Sequence, residues 1–187
     1  MKFNSLDLAG PMEIELSRFS DDRGYFVETF REMKFFEEAG EYRFVQDNQS
    51  LSTRCGTVRG IHFQTHPFAQ GKLVSCLAGS VFDVAVDLRA DSPNYGKWAG
   101  VTLSAVKGNQ LWIPPGFGHG FCTLEPDTVV SYKVTAYYSK ADDLGVAWDD
   151  PDIAITWPAV ADATSLSPKD RAQPALAALP PLFSLKD

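Results

Sequence analysis

Alternation of apolar and polar side chains along short stretches is the most informative pattern in the sequence. Residues 80–89 show it best, because neighbouring positions separate into two sets. One set is apolar (Phe82, Val84, Val86, Leu88) and the other is mixed (Val81, Asp83, Ala85, Asp87). Successive side chains of a strand point to opposite faces, so this stretch is predicted to be a strand with one apolar and one mixed face.

Residues 128–138 repeat the alternation and are predicted to form a strand that ends near Tyr138. Val130, Tyr132 and Val134 share one side of it, so Tyr132 faces the interior if Val130 does. Other β-branched and aromatic runs predict strands at residues 13–19, 25–30, 44–52, 57–64, 72–77, 98–103 and 109–113.

Helix is predicted at two places. Residues 31–39 are helix formers followed by Gly40, which suits a C-terminal cap. Ser167 and Pro168 resemble an N-cap and a first helical position. From residue 158 to 187, Ala, Pro and Leu dominate, which indicates loops and short helical turns packed on the outside.

The 14 glycines and 12 prolines that separate the short strands are typical of antiparallel sandwiches and barrels. We therefore predict an all-β jelly roll with short peripheral helices, formed by residues 1–187 as a single domain. A chain of 187 residues that is 44% hydrophobic can bury one substantial core. Its net charge of -7 argues against nucleic acid as a partner.

No membrane segment is expected, because the uncharged stretch at residues 111–124 is too short to span a bilayer and is rich in Pro and Gly. The first residues lack the apolar run of a secretory signal, so a cytoplasmic location is expected. Cys55, Cys76 and Cys122 lack C-x-x-C spacing and are odd in number, so we expect all three to be small core residues.

Two of the three histidines lie in motifs that resemble those of the cupin superfamily. Gly108, Pro114, Gly116 and His119 follow the spacing of the second cupin motif, G-x5-P-x-G-x2-H. Without that motif, a buried histidine satisfied by the backbone would be the preferred interpretation of His119.

The first cupin motif, G-x5-H-x-H, is incomplete. Gly56 and His62 match it, but Gln64 stands where a second histidine ligand belongs. A transition metal needs several imidazoles and a carboxylate that converge on it, so no metal is predicted. A metal-dependent cupin with His62 and His119 as ligands stays open as an alternative.

Between about residues 10 and 176 the chain resembles the dTDP-4-dehydrorhamnose 3,5-epimerase family, the RmlC-type epimerases of the cupin superfamily. The blocks that carry the resemblance are 22–28 (DRGYFVE), 46–50 (QDNQS), 58–64 (VRGIHFQ), 70–74 (QGKLV), 83–87 (DVAVD), 113–121 (IPPGFGHGF), 132–133 (YK) and 166–170 (LSPKD). The resemblance implies a cupin-type jelly-roll homodimer that uses no metal or other cofactor. Its implied substrate is dTDP-4-keto-6-deoxyglucose, inverted at C3 and C5.

Inversion of a carbon next to a ketone requires a base, a group that stabilises the enolate, and an acid on the other face. The resemblance assigns His62 as base with Asp170 as its partner, Lys72 as the cation at the carbonyl oxygen, and Tyr132 as acid. Each has a simpler interpretation: Asp170 as a helix-start acid, Lys72 as a surface lysine, and Tyr132 as a core tyrosine.

The resemblance also implies a set of substrate-binding positions. Arg23, Arg59 and Lys169 supply cations that suit a diphosphate, and Tyr138 stacks on or bounds the nucleotide. The remaining implied binding positions are Glu28, Gln46, Asn48, Lys72, His119 and Asp143. Position 143 departs from the family, which more often has Glu there.

Two further interpretations of the function stay open. Relatives that invert only one carbon share the same catalytic residues, and a non-catalytic sugar-nucleotide binding module would keep the cations. The dimer contact is also unassigned, although residues 13–19 are expected to form an exposed edge strand suited to pairing between sheets.

Overall fold

The computed structural model describes residues 1–186, which form mainly antiparallel β-structure with short helices. The strands are β1 (Lys2–Ser5), β2 (Met12–Glu15), β3 (Arg18–Asp21), β4 (Gly24–Val27), β5 (Gln46–Ser52), β6 (Val58–Gln64), β7 (Lys72–Ala78), β8 (Ser80–Asp87), β9 (Trp98–Ser104), β10 (Gln110–Ile113), β11 (Phe117–Thr123), β12 (Thr128–Val134) and β13 (Asp143–Gly145). The α-helices are α1 (Glu32–Ala39) and α2 (Pro168–Arg171), and 3-10 turns occupy Ala163–Ser165 and Leu176–Ala178.

Two sheets face each other across the main core. One has the order β1-β2-β10-β7-β12-β5 and the other β13-β6-β11-β8-β9, while β3 and β4 pair as a separate hairpin. Val74 and Val130 of the first sheet and Val81, Leu103 and Phe121 of the second belong to one buried cluster between the sheets. The predicted all-β jelly roll is confirmed, with both sheets open at their edges.

Strand β8 has the predicted alternation, and both of its faces are buried. The mixed face, with Val81 and Asp83, points between the two sheets. The apolar face, with Val84 and Val86, packs outward against a segment that includes Ile153 and other residues of the C-terminal part of the chain. Residues 158–186 carry both 3-10 turns and α2; residue 187 lies outside the described part of the chain.

The predicted single strand at residues 13–19 is wrong, because the chain forms two short strands there, β2 and β3. Strand β2 is also not an edge, since it lies between β1 and β10. The edge is β1, whose four residues are too few to show an alternation in the sequence.

The strand predicted at residues 128–138 ends earlier, at Val134. Val134 pairs with Gln46 at the start of β5 and with Lys72 at the start of β7, so no strand continues beside residue 135 and beyond. Tyr138 therefore lies in the loop after the strand.

Strands β11 and β13 were not predicted as strands. Three glycines and two prolines within residues 114–120 obscure β11 in the sequence. Pairing with β6 and β8 nevertheless holds this segment extended. The prediction of three core cysteines is wrong for Cys55, which is exposed, whereas Cys76 and Cys122 are buried.

Both predicted helices are present. The backbone of Gly40 has φ 99° and its N–H closes α1 on the carbonyl of Phe36, as a glycine cap does. The side chain of Ser167 caps α2 by accepting a hydrogen bond from the backbone N–H of Asp170. No helix within residues 1–186 is both long and apolar enough to cross a bilayer.

Candidate active site

A cleft between the two sheets collects all but two of the site residues that the sequence predicted. Strands β5, β7 and β12 form one wall, β6, β11 and β13 form the other, and α2 lies at the rim. The predicted residues that line it are Gln46, Asn48, Arg59, His62, Lys72, His119, Tyr132, Tyr138, Asp143, Lys169 and Asp170.

The two cleft histidines lie opposite each other because β6 and β11 approach closely. His62 and His119 are register partners on these strands. Gly60 permits the approach: a Cβ there would lie 2.5 Å from the Cα of Gly120, and the φ of +128° is one that other residues rarely adopt. The close approach at Gly60 and Gly120 therefore brings two imidazoles to one wall of the cleft.

His62 forms a pair with Asp170, which reaches it from α2. The distance between His62 Nε2 and Asp170 Oδ1 is 2.5 Å, and the Asp170 side chain is only 4% exposed. Burial alone raises the pKa of the Asp170 carboxyl, but the hydrogen bond and charge of His62 outweigh it and hold that pKa below its ordinary value. Asp170 is thus an acceptor, which assigns the proton of the neutral imidazole to Nε2 and leaves Nδ1 able to accept a proton.

Lys72 begins β7 and its side chain is buried in the cleft, so the surface-lysine interpretation is wrong. Its Nζ lies 3.4 Å from the backbone oxygen of His62. Burial lowers the pKa of the Lys72 amine to about 8, against the opposing charges of Asp143 and Asp83. A cation with this little hydration can interact strongly with an oxyanion.

Tyr132 faces the interior from β12, as the strand alternation predicted. It packs against the core cluster between the sheets, and its ring centroid lies 6.5 Å from that of His119. Burial raises the pKa of the Tyr132 phenol, so the hydroxyl keeps its proton at neutral pH and can donate it.

Arg59 and Lys169 are the predicted diphosphate cations that reach the cleft. Arg59 donates to Ser52 Oγ at 3.1 Å and to the carbonyl of Leu51 at 3.0 Å, both neutral oxygens. Its guanidinium pairs with no carboxylate in the part of the chain that the structure describes. Such a charge is available for an anionic ligand.

Asp143 contacts two of the predicted binding residues directly. Its Oδ2 accepts a hydrogen bond from Lys169 Nζ at 2.5 Å and from the Tyr138 hydroxyl at 3.1 Å. The hydrogen bond to this carboxylate raises the pKa of Tyr138. The aspartate that replaces the family's glutamate is therefore long enough to organise this end of the cleft.

Gln64, at the position of the missing cupin histidine, holds a loop. Its Nε2 donates to the carbonyls of Phe68 and Tyr137, and its Oε1 accepts from the backbone N–H of Ser139. These bonds fix the loop that carries Tyr138. The aromatic ring of Tyr138 therefore lies at the mouth of the cleft. The sequence flagged Gln64 only as a departure from a ligand set.

The donor set does not fit a transition metal. Two imidazoles, those of His62 and His119, line the cleft, and the amide of Gln64, at the position of the missing cupin histidine, is occupied by backbone groups. Within residues 1–186, no three His, Cys, Asp or Glu side chains are grouped as metal ligands.

Arg23 and Glu28 are the two predicted binding residues that do not line the cleft. Arg23 lies in the turn of the β3–β4 hairpin, where it is paired with Asp21, and Glu28 is paired with Arg31. Phe19 and Phe26 of the same hairpin are largely exposed.

Asp83 does not line the cleft but contacts the cleft residue His119; the sequence places it on a strand face and does not assign it to the site. Its Oδ1 lies 2.5 Å from His119 Nε2, and it is fully buried. The available signal is an acid in the middle of a mostly apolar strand, because buried charges are normally paired.

Comparison with known proteins identifies the family. The sequence model of the dTDP-4-dehydrorhamnose 3,5-epimerase family matches residues 5–178. A dTDP-4-dehydrorhamnose 3,5-epimerase of Sinorhizobium fredii (strain NBRC 101917 / NGR234) is 55% identical over 183 residues, which cover 98% of this chain and 93% of the relative. A dTDP-4-dehydrorhamnose 3-epimerase of Streptomyces niveus is 40% identical over 172 residues, covering 91% and 82%.

A solved structure agrees with these sequence matches. The crystal structure of dTDP-6-deoxy-D-glucose-3,5-epimerase from Legionella pneumophila Philadelphia 1, in complex with dTDP-4-keto-L-rhamnose, matches with a TM-score of 0.93. The identity is 40%, and the match covers 100% of this chain and 99% of that one. The predicted fold and the predicted enzyme class, an epimerase, are confirmed. The chain belongs to the dTDP-4-dehydrorhamnose 3,5-epimerase family.

Proposed function

We propose that this protein inverts C3 and C5 of dTDP-4-keto-6-deoxyglucose to give dTDP-4-keto-L-rhamnose, using only its own side chains. The observation that carries the proposal is the position of the base and the acid. His62 extends from the wall formed by β6, and Tyr132 extends from the opposite wall, formed by β12. A sugar ring between them has one group on each face.

The reaction begins with proton removal next to the C4 ketone. The free nitrogen of His62 takes the proton from C3 or C5, and the electron pair of the broken C–H bond forms the enolate of C4. The imidazolium that results is stabilised by the carboxylate of Asp170, at 2.5 Å. Tyr132 then gives its proton to the same carbon from the other face, and proton exchange with water restores both groups.

Lys72 stabilises the negative charge that develops on the C4 oxygen. It is a buried cation in the same cleft as His62 and Tyr132, and a charge with little hydration is worth more there than in water. The nucleotide end is bound by the remaining lining groups. Arg59 and Lys169 serve the diphosphate, Gln46, Asn48 and Asp143 supply hydrogen bonds, and Tyr138 bounds the base.

The proposal predicts solvent exchange at two carbons. The protein is purified, treated with a chelator and incubated with dTDP-4-keto-6-deoxyglucose in deuterated water. The sugar should take up deuterium at both C3 and C5, which proton NMR measures. Deuterium at one carbon only would make it a mono-epimerase, the activity named for the Streptomyces niveus relative. No exchange, or exchange that requires added metal, would contradict the proposal.

We also propose that the active form is a homodimer in which the β3–β4 hairpin of one subunit completes the cleft of the other. Arg23 and Glu28 are implied substrate ligands, yet both lie outside the cleft of their own chain. The hairpin also exposes Phe19, Tyr25 and Phe26, the last to 70%. An exposed apolar hairpin with two unplaced ligands suits insertion into a symmetric second copy.

Complementation tests this arrangement. Arg23→Ala and His62→Ala should each be poorly active alone, and mixing them after dissociation should restore activity. The mixed dimer then has one cleft with an intact His62 and Arg23 of the partner subunit. Mixing Arg59→Ala with His62→Ala is the control and should restore nothing, because both residues belong to one cleft. A monomeric active protein, or no recovery in the first mixture, would contradict the proposal.

Two further sequence predictions are kept as proposals. A single domain is supported by the packing of Ile153, Leu176 and Phe183 on the outer face of β8, which ties the C-terminal part of the chain to the sheet. The cytoplasmic location rests on the sequence alone.

A further inference from the structure

His119, which lines the cleft beside the pair of His62 with Asp170, forms a second imidazole–carboxylate pair with the buried Asp83. We propose that Asp83 is a positioning residue for the epimerase reaction: it orients His119 through one oxygen and supplies the counter-charge that keeps Lys72 a cation. This inference rests on the proposed function, because it concerns the group that stabilises the enolate.

The geometry of Asp83 is unusual for a purely structural carboxylate. It lies in the middle of β8 with 0% exposure, and its Oδ1 accepts from His119 Nε2 at 2.5 Å. Its other oxygen, Oδ2, is buried and has no hydrogen-bond partner in the part of the chain that the structure describes. Burial of a carboxylate with one oxygen unsatisfied is costly, and such groups are concentrated at functional sites.

Asp87 provides the comparison within the same strand. It is also 0% exposed and, four residues further along β8, points to the same face. Both of its oxygens are satisfied, because Arg89 donates to each of them and Ser92 donates to Oδ2 at 2.7 Å. Asp87 thus has the saturated network of a structural acid, which Asp83 lacks.

The contact with Asp83 determines how His119 is presented. Burial lowers the pKa of the His119 imidazole, so its neutral form prevails at neutral pH. With the Nε2 proton donated to Asp83, the lone pair of the neutral ring is on Nδ1. Asp83 therefore fixes both the tautomer and the orientation of a cleft-lining ring, as second carboxylates do for catalytic and metal-bound histidines.

The charge of Asp83 also acts on Lys72. The charged and titratable groups that act on this lysine or line the cleft with it come from seven elements or loops: Asp83 on β8, Asp143 on β13, Lys169 and Asp170 on α2, Arg59 and His62 on β6, His119 on β11, Tyr132 on β12 and Tyr138 in the loop after β12. Asp143 is already paired with Lys169, whereas Asp83 forms no ion pair with a lysine or arginine within residues 1–186. The negative charge of Asp83 therefore offsets part of the cost of burying the Lys72 ammonium.

The test is the pH dependence of kcat for Asp83→Asn, with Asp87→Asn as the matched control. Asparagine keeps the shape and an acceptor for His119 but removes the charge. Without that charge the pKa of Lys72 falls below about 8, so the ammonium is lost at lower pH. The fall of kcat at alkaline pH, which is the alkaline limb of the pH profile, should therefore move to lower pH. At pH values above both pKa values, a shift of one unit makes kcat roughly tenfold lower than in the wild type.

The controls separate positioning from stability. Asp87→Asn should lower the melting temperature and leave the limb in place. Asp83→Glu, which keeps the charge, should leave the limb where the wild type has it, even if kcat falls. A limb that stays in place in folded Asp83→Asn, or that moves in Asp83→Glu, overturns the inference. If the Asn variant does not fold, a limb that moves in Asp83→Glu still overturns the inference.

The proposed epimerase function and the proposed role of Asp83 fail with different results. Wild-type protein that exchanges no deuterium at C3 or C5 would contradict the proposed function. Active wild type with an unmoved limb in Asp83→Asn would contradict only the role of Asp83.

Discussion

Replacement of His62 by alanine is expected to remove deuterium exchange at both carbons next to the ketone. A general base contributes a factor of ~10²–10⁴ to the rate, and one imidazole serves both inversions in the proposed mechanism. The side chain of His62 is only 30% exposed and contacts Asp170, so its loss also leaves that carboxylate without its main partner. The rate of exchange, followed by NMR in deuterated water, measures the effect.

The affinity for dTDP distinguishes a lost base from a lost site. His62→Ala should bind dTDP as the wild type does in calorimetry, because the proposed nucleotide contacts come from other side chains. Arg59→Ala should show the opposite pattern, with weaker binding and a smaller loss of exchange at saturating substrate, because its guanidinium contacts neutral oxygens and is available to the diphosphate. Exchange near the wild-type rate in His62→Ala would disprove its assignment as base.

Replacement of Tyr132 by phenylalanine is expected to separate proton removal from inversion. The ring keeps its packing against the core and against His119, so the fold should be unchanged. His62 can still remove a proton and return a solvent deuteron to the same face. The substrate recovered from deuterated water should therefore carry deuterium without inversion, while epimerised product falls by ~10²–10⁴-fold.

The raised pKa of the Tyr132 phenol is the reason why its loss should lower product formation. Burial holds the Tyr132 hydroxyl in its protonated form at neutral pH, so the wild type has a competent acid there. Phenylalanine removes that acid at every pH. An unchanged ratio of epimerised product to exchanged substrate would show that another group or water returns the proton.

The sequence predicts a strand well where the alternation of apolar and polar residues is long. It predicts a strand poorly where the ends or the existence of the strand depend on hydrogen bonding to neighbouring strands. Strand β8 was predicted almost to the residue, because an eight-residue strand shows its period in the sequence. Strand β12 ends at Val134 because β5 and β7 both begin opposite it, and these partners lie far away along the chain. Strand β11 is rich in glycine and is extended only because β6 and β8 flank it.

The same contrast applies to single side chains. Tyr132 was placed inward correctly, because alternation relates it to Val130 on the same strand. The site role of Asp83 was missed, because its partner His119 belongs to another strand. Cys55 was misplaced, because its exposure depends on the turn between β5 and β6 and not on its residue type.

The sequence by itself determined the fold class through its periodicity, and it determined the family and the candidate cleft residues through the blocks that resemble that family, because both kinds of signal are local properties of the chain. Only the tertiary structure decided which of these residues meet. The contacts of His62 with Asp170 and of His119 with Asp83 join positions separated by 108 and 36 residues. It also decided that Lys72 is buried and that Arg23 and Glu28 stay outside their own cleft, because burial and distance depend on how the sheets pack.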